Sequence, residues 1–145
     1  VALRSTLAGL VIVYLAQTIP VALYMLRSQF LAIPVALEEA GMIDGLSRIG
    51  VIRRITLPLA VPAIAAVSLY VFMIAWNEFL FALLFLVDQP ALWTLPLGLQ
   101  QLDNTEVPKT VLMAGSVVMS LPIIAIFFLA ERFLTEGLTA GGVKG

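Results

Sequence analysis

Glu39-Ala40-Gly41-Met42-Ile43-Asp44-Gly45, then nine residues, then Ile55-Thr56-Leu57-Pro58, sets two acids and two glycines in a charged interval between long apolar stretches. The chemistry such an interval offers is recognition of a soluble partner. A phosphate loop is excluded here: Gly45 and Gly50 have the spacing of two phosphate-loop glycines, but Val51 and Ile52 stand where a Lys and a Ser or Thr must hold phosphate and magnesium. Enzymatic chemistry has little to work with. The chain has no His and no Cys, so the commonest general base, thiolate nucleophiles, disulfides and thiolate metal sites are all missing. A carboxylate pair or a serine with a lysine would remain, and Lys109 has no evident serine partner. No cofactor or metal is implied.

The elements that must position this interval follow from composition. With 61% hydrophobic and 12% charged residues and a mean hydropathy of +1.08, the chain has too little polar surface for a soluble domain. It is expected to be all-α and polytopic, with membrane lipid as its solvent. Three apolar stretches, about Leu7 to Leu26, Leu59 to Val87 and Val111 to Ala130, reach the roughly 20 residues needed to cross about 30 Å of hydrocarbon. The chain begins at Val1 without an initiator Met, yet its first stretch is longer than a signal-peptide core and contains Gln17 and Pro20. A piece of a longer parent is expected.

Orientation follows from the basic residues, which accumulate in cytoplasmic loops. Arg27, Arg48, Arg53 and Arg54 fall between the first two stretches, whereas the interval from 88 to 110 has Lys109 among Asp88, Asp103 and Glu106. The loop over 27–58 and the C-terminal tail, with Arg132 and Lys144, are therefore expected in the cytoplasm, and 88–110 outside. A net charge of -1 gives no case for nucleic acid.

Leu59 to Val87 is too long for a simple span: as one helix of about 29 residues it would reach about 43 Å and need a tilt of roughly 45°, against an average of about 20°. A break is expected after Trp76-Asn77-Glu78, leaving Phe79 to Val87 as a short re-entrant or interfacial segment. Within the loop, Pro34 predicts a helix running to about Ile49, with Val35, Met42, Leu46 and Ile49 in one sector and Asp44 four residues from Arg48. Gly41 and Gly45 would each cost such a helix about 1 kcal/mol relative to Ala, which calls for close backbone approach by another element in return. A second short helix, about Val51 to Ile55, is expected to stop before Pro58, which biases Leu57 away from the helical region.

Glu39-Ala40-Gly41, Gly45 and Ile55-x-Leu57-Pro58 resemble, at matching spacing, the EAA motif of ABC importer permease subunits. Ile43-Asp44-Gly45 and Leu57-Pro58-Leu59-x-x-Pro62-Ala63 look most like the carbohydrate-uptake permeases of the maltose and multi-sugar type, as do Trp76-Asn77-Glu78-Phe79 and the ending Gly137-Leu138-Thr139-Ala140-Gly141-Gly142-Val143-Lys144-Gly145. The resemblance covers the chain from about Tyr24 to its end, and it departs at Gly41, where the family more often has Ala. Family members usually have six spans, so the resemblance places this chain in the C-terminal portion of one prokaryotic inner-membrane permease domain, with its coupling loop over 28–58. It further implies a second permease subunit, a pair of ATP-hydrolysing subunits and an external solute-binding protein as partners. On that reading Glu39, Ala40, Gly41, Asp44, Gly45, Ile55, Leu57 and Pro58 form the ATPase-coupling contact.

Trp76, Asn77 and Glu78 are the candidates for the solute pathway, by ring stacking, hydrogen bonding and charge for a sugar or related polyol. Glu78 is read either as pore lining or as snorkelling to water near the outer interface, and Trp76 alone as an interfacial anchor. Gln17 and Ser116 are polar groups for helix contacts, and Pro20 and Pro122 are sites of kinks. The tail from Thr139 to Gly145 is too glycine-rich to predict a stable helix. Two other classes stand beside the importer. Half of an ATP-independent secondary carrier would use the broken span and Glu78, and an assembly protein would use Ala114, Gly115 and Ser116 only to pack helices.

Overall fold

Thr6 starts the first helix, its hydroxyl oxygen accepting from the Gly9 N–H at 3.2 Å. In the computed structural model, which describes residues 5–103 and 106–141 and side chains as far as Phe133, every regular element among the described residues is helical. The helices are α1 (Leu7–Leu31), α2 (Val35–Ile43), α3 (Arg48–Val51), α4 (Leu57–Asn77), α5 (Leu80–Leu86), α6 (Leu95–Leu102) and α7 (Lys109–Gly141). A π-helical turn, Ile52–Thr56, joins α3 to α4, and a 3-10 turn, Pro90–Leu92, follows α5. Among the described residues three continuous helical stretches are long and apolar enough to cross a membrane: Leu7–Leu31, Arg48–Asn77 (α3, the π-turn and α4) and Lys109–Phe133. The all-α, three-span expectation holds. Few residues of these spans are buried within the chain, so most of their large apolar side chains face outward, as lipid or neighbouring helices require.

The first of two compact units comprises the described residues up to Ile19 together with those of Val71–Phe128. Its core is Leu10, Ala82, Leu86 and Leu97, with Tyr14, Phe79, Phe81 and Trp93 packed around it. Trp93 closes the end of α5, its ring N–H donating to the Leu86 carbonyl at 2.9 Å. The expected break in the second apolar stretch lies at Glu78 and Phe79, between α4 and α5. The interval from 88 to 110 is not a plain loop, because α6 occupies its middle. Pro96 sits in the first turn of α6, where a missing N–H costs nothing. α6 rests on α7 at Gly115, where a Cβ would collide with Leu99.

The second unit comprises Pro20–Tyr70 and the described residues from Leu129. Here two local expectations are overturned. The helix beginning after Pro34 ends at Ile43 rather than near Ile49, so Val35, Met42, Leu46 and Ile49 do not share one helical face, and Asp44 and Arg48 are not a turn apart on one helix. The short helix expected to stop before Pro58 instead runs through it: Leu57 has φ -63° and ψ -47°, fully helical. The π-turn resolves the conflict. A proline in an α-helix clashes with the carbonyl four residues back and lacks the N–H to bond it. In the wider turn the Leu57 N–H reaches the Ile52 carbonyl, five residues back, so the turn that leads into Pro58 is widened and Pro58 itself falls in the first turn of α4.

The expectation of a non-helical tail fails over Thr139–Gly141, which continue α7. Extending a long helix adds one hydrogen bond per residue fixed and requires no new nucleus. The rest of that tail, residues 142–145, lies outside the described residues.

Candidate functional site

The end of α2 is built as a Schellman motif. The Gly45 N–H donates to the Met42 carbonyl at 3.1 Å, and the Leu46 N–H to the Gly41 carbonyl at 3.0 Å. This closure requires a left-handed residue, and Gly45 supplies it with φ +87°. Ser47 then begins α3, its hydroxyl accepting from the Gly50 N–H at 3.2 Å. The two glycines read as a pair in sequence therefore have separate causes. Gly45 is needed for its backbone conformation, with nothing near its missing Cβ, whereas at buried Gly41 a side chain would press on Ile55 and Val51.

The motif residues consequently fall into two groups. Glu39, Ala40, Asp44 and Gly45 are exposed around the last turn of α2, with Ile43 beside them at 85% exposure. Gly41 and Ile55 face inward and join α2 to the π-turn. Leu57 and Pro58 are exposed at the start of α4. Two residues outside the sequence-based set complete the arrangement: the buried Thr56 donates its hydroxyl to Glu38 Oε1 at 3.1 Å. No local pattern marks that pair, which is separated by 18 positions.

A cleft of about 430 Å³ lies between the later part of α1 and the early part of α4, lined by Tyr24, Ser28, Gln29, Ala60, Pro62 and Ala63 among others. Trp76, Asn77 and Glu78 belong to the first unit. There the Trp76 ring N–H donates to the Met119 carbonyl of α7 at 2.9 Å, and the ring stacks on Phe72 with centroids 5.4 Å apart. Asn77 is exposed and donates its amide to the Met73 carbonyl. Glu78 is half-buried, and its carboxylate accepts three hydrogen bonds. The Phe81 N–H reaches Oε1 at 2.7 Å, while the Ala82 N–H at 3.0 Å and the Tyr14 hydroxyl at 2.9 Å both reach Oε2. The carboxylate thus caps α5 and ties it to α1.

A helical, three-span chain carrying an exposed acidic and glycine-bearing turn against the foot of one span defines a polytopic membrane protein with a built loop. The family described as "Binding-protein-dependent transport system inner membrane component" matches over residues 1–139, and the chain belongs to it. Over 144 residues it is 46% identical to the inner membrane ABC transporter permease protein YcjP of Escherichia coli (strain K12), covering 97% of this chain and 50% of that protein. It is 41% identical over 143 residues to the trehalose/maltose transport system permease protein MalG of Thermococcus litoralis, covering 97% and 51% of the two chains. With the sulfoquinovosyl glycerol transport system permease protein SmoH of Agrobacterium fabrum the identity is 38% over 144 residues, covering 99% and 50%. The resemblance to carbohydrate-uptake permeases is thereby borne out. The chain spans about half the length of the curated relatives it matches.

Proposed function

We propose that this chain is part of the transmembrane permease subunit of an ATP-binding-cassette importer for a sugar or related polyol, and that the end of α2 docks on a separate ATP-hydrolysing subunit. The observation that carries this reading is the division of the motif: Glu39, Ala40, Asp44 and Gly45 are presented outward while Gly41 holds the same helix tightly against the π-turn beneath α4. An exposed carboxylate, bared backbone and the apolar Ile43 together suit a protein cleft. The solutes of two relatives, trehalose and maltose for one and sulfoquinovosyl glycerol for the other, support the solute class. The remaining partners are a second permease subunit and an external solute-binding protein, with the loop over 27–58 and the tail on the cytoplasmic side of the inner membrane and the α6 region outside.

In the solute pathway, Asn77 is the exposed member of its trio, while Trp76 and Glu78 support the wall through their bonds to Met119, to α5 and to Tyr14. The secondary-carrier alternative drew on the break beside Glu78. That carboxylate accepts three hydrogen bonds that hold the break together, a use that requires no ion or solute at Glu78.

The test is co-purification of the full-length parent with its ATPase, comparing wild type with Gly45→Asp at equal membrane levels. Asp must take up φ near +87°, at about 1–2 kcal/mol of backbone strain, and places a carboxylate on the docking surface. Loss of ATPase from the variant and of uptake with it is the expected result. Equal recovery and normal uptake would remove the docking assignment.

A further inference from the structure

We propose that Glu38, Gly41 and Thr56 lock α2 to the base of α4, so that docking loop and span move as one rigid lever; this rests on the importer reading above, within which Glu38 and Thr56 are positioning residues. Glu38 precedes the motif acid Glu39 and lies about 100° around the helix from it, so the two serve different faces. Glu39 is exposed, whereas Glu38 is half-buried and accepts the Thr56 hydroxyl at 3.1 Å. Thr56 is the last residue of the π-turn, and the next residue begins α4.

Hydroxyls on helices ordinarily bond back to their own helix. Thr18, Ser28, Ser116 and Ser120 all do so here, donating to the carbonyls of Tyr14, Met25, Leu112 and Ser116. Thr56 instead bonds across to α2. The π-turn makes this possible, because its wider repeat changes the face that the following residue presents. Gly41 provides the second fixed point, one turn along α2 from Glu38, where the missing side chain lets the backbone settle against Val51 and Ile55.

Two attachments on one short helix, one polar and one steric, prevent both sliding and rolling. A displacement imposed at Asp44 and Gly45 therefore passes into α4 instead of being absorbed by loop bending.

The experiment uses the full-length permease reconstituted in vesicles with its ATPase and binding protein. The variants are Thr56→Val, which keeps the β-branched shape without the hydroxyl; Glu38→Ala, which removes the acceptor; and Glu38→Gln, whose amide oxygen still accepts. Two quantities are read, the exchange rate of the α2 amides and the ATP consumed per solute imported. Thr56→Val and Glu38→Ala are expected to raise α2 exchange roughly tenfold, as loss of one hydrogen bond to a charged group implies. Both are also expected to raise ATP consumed per solute, with ATPase still bound, and Glu38→Gln to return both readouts toward wild type. A merely structural pair would lower uptake and hydrolysis together at constant ratio, and that result overturns the proposal. Should Thr56→Val fail to reach the membrane, the contrast of Glu38→Ala with Glu38→Gln decides by the same ratio. Wild-type import without ATP consumption strikes the importer reading itself, and is distinguished from failure of the lock because there the wild type still consumes ATP.

Discussion

Glu78→Ala lowers the unfolding temperature of the detergent-solubilised full-length protein by an expected margin of order 10 °C, the counterpart of about 3 kcal/mol or more for a protein of a few hundred residues. The reason is the number of groups orphaned at once. The N–H groups of Phe81 and Ala82 and the hydroxyl of Tyr14 all converge on one carboxylate, and each part-buried donor left unsatisfied costs about 1–3 kcal/mol. Glu78→Gln keeps one acceptor oxygen for Phe81 but turns an NH2 group toward the Ala82 N–H, and is expected to lose about half as much. Tyr14→Phe removes a single donor and leaves the cap on α5 intact, for about 1 kcal/mol. A graded loss, largest for Glu78→Ala, smaller for Glu78→Gln and smallest for Tyr14→Phe, is the signature of a cap. A Glu78→Ala protein that melts like the wild type while its solute affinity collapses would instead make Glu78 a pathway ligand.

How far the sequence carried depends on whether the deciding interaction was local. Span length and composition alone located the three membrane helices, and the excess length of the second apolar stretch located its break at Glu78. The role of Glu78 was also locally encoded, since a carboxylate three and four residues before the N–H groups it accepts is a capping relation. A carboxylate beside a long apolar stretch also suggests a pore, and the sequence alone does not choose between the two uses. Gly45-Leu46-Ser47 likewise contains a helix stop, an apolar residue to cover it and a new N-cap. The single sector shared by Val35, Met42, Leu46 and Ile49 favours one continuous helix instead. Thr94-Leu95-Pro96 marks the start of α6 in the same way, in an interval whose charges alone suggest a plain connection. By contrast the π-turn was not legible. The rule that a proline disfavours helix in the residue before it is sound for a regular α-turn, and at Leu57 it is overruled by a wider turn that also delivers Thr56 to Glu38. Since those two residues are brought together by folding over an 18-position separation, no pattern in the sequence joins them.

Gly41 offers the steepest graded response in the loop. A Cβ at this position meets the terminal methyl of Ile55 most closely and Val51 Cγ2 at 3.3 Å. The Ile55 methyl is the far end of a flexible side chain and can rotate away, whereas Val51 is β-branched, 4% exposed and has little freedom to give. Gly41→Ala therefore sets a small contact against a helix-propensity gain of about 1 kcal/mol, and uptake by the full-length transporter is expected to stay within about twofold of wild type. Gly41→Leu has no such escape. Its side chain must push α2 off the π-turn, an overpacking cost of about 1–3 kcal/mol, and the same displacement stretches the Glu38 to Thr56 bond. Uptake at equal membrane levels is expected to fall at least about tenfold, with α2 amide exchange accelerated in parallel. The comparison separates space from flexibility: if Ala and Leu were equally damaging, the backbone freedom of glycine would be the requirement at this position. If both were harmless, α2 would not be seated on the π-turn when the transporter works. A sharp drop between Ala and Leu is what a helix bedded against Val51 and Ile55 demands, since there the side chain's volume, and not its presence, sets the cost.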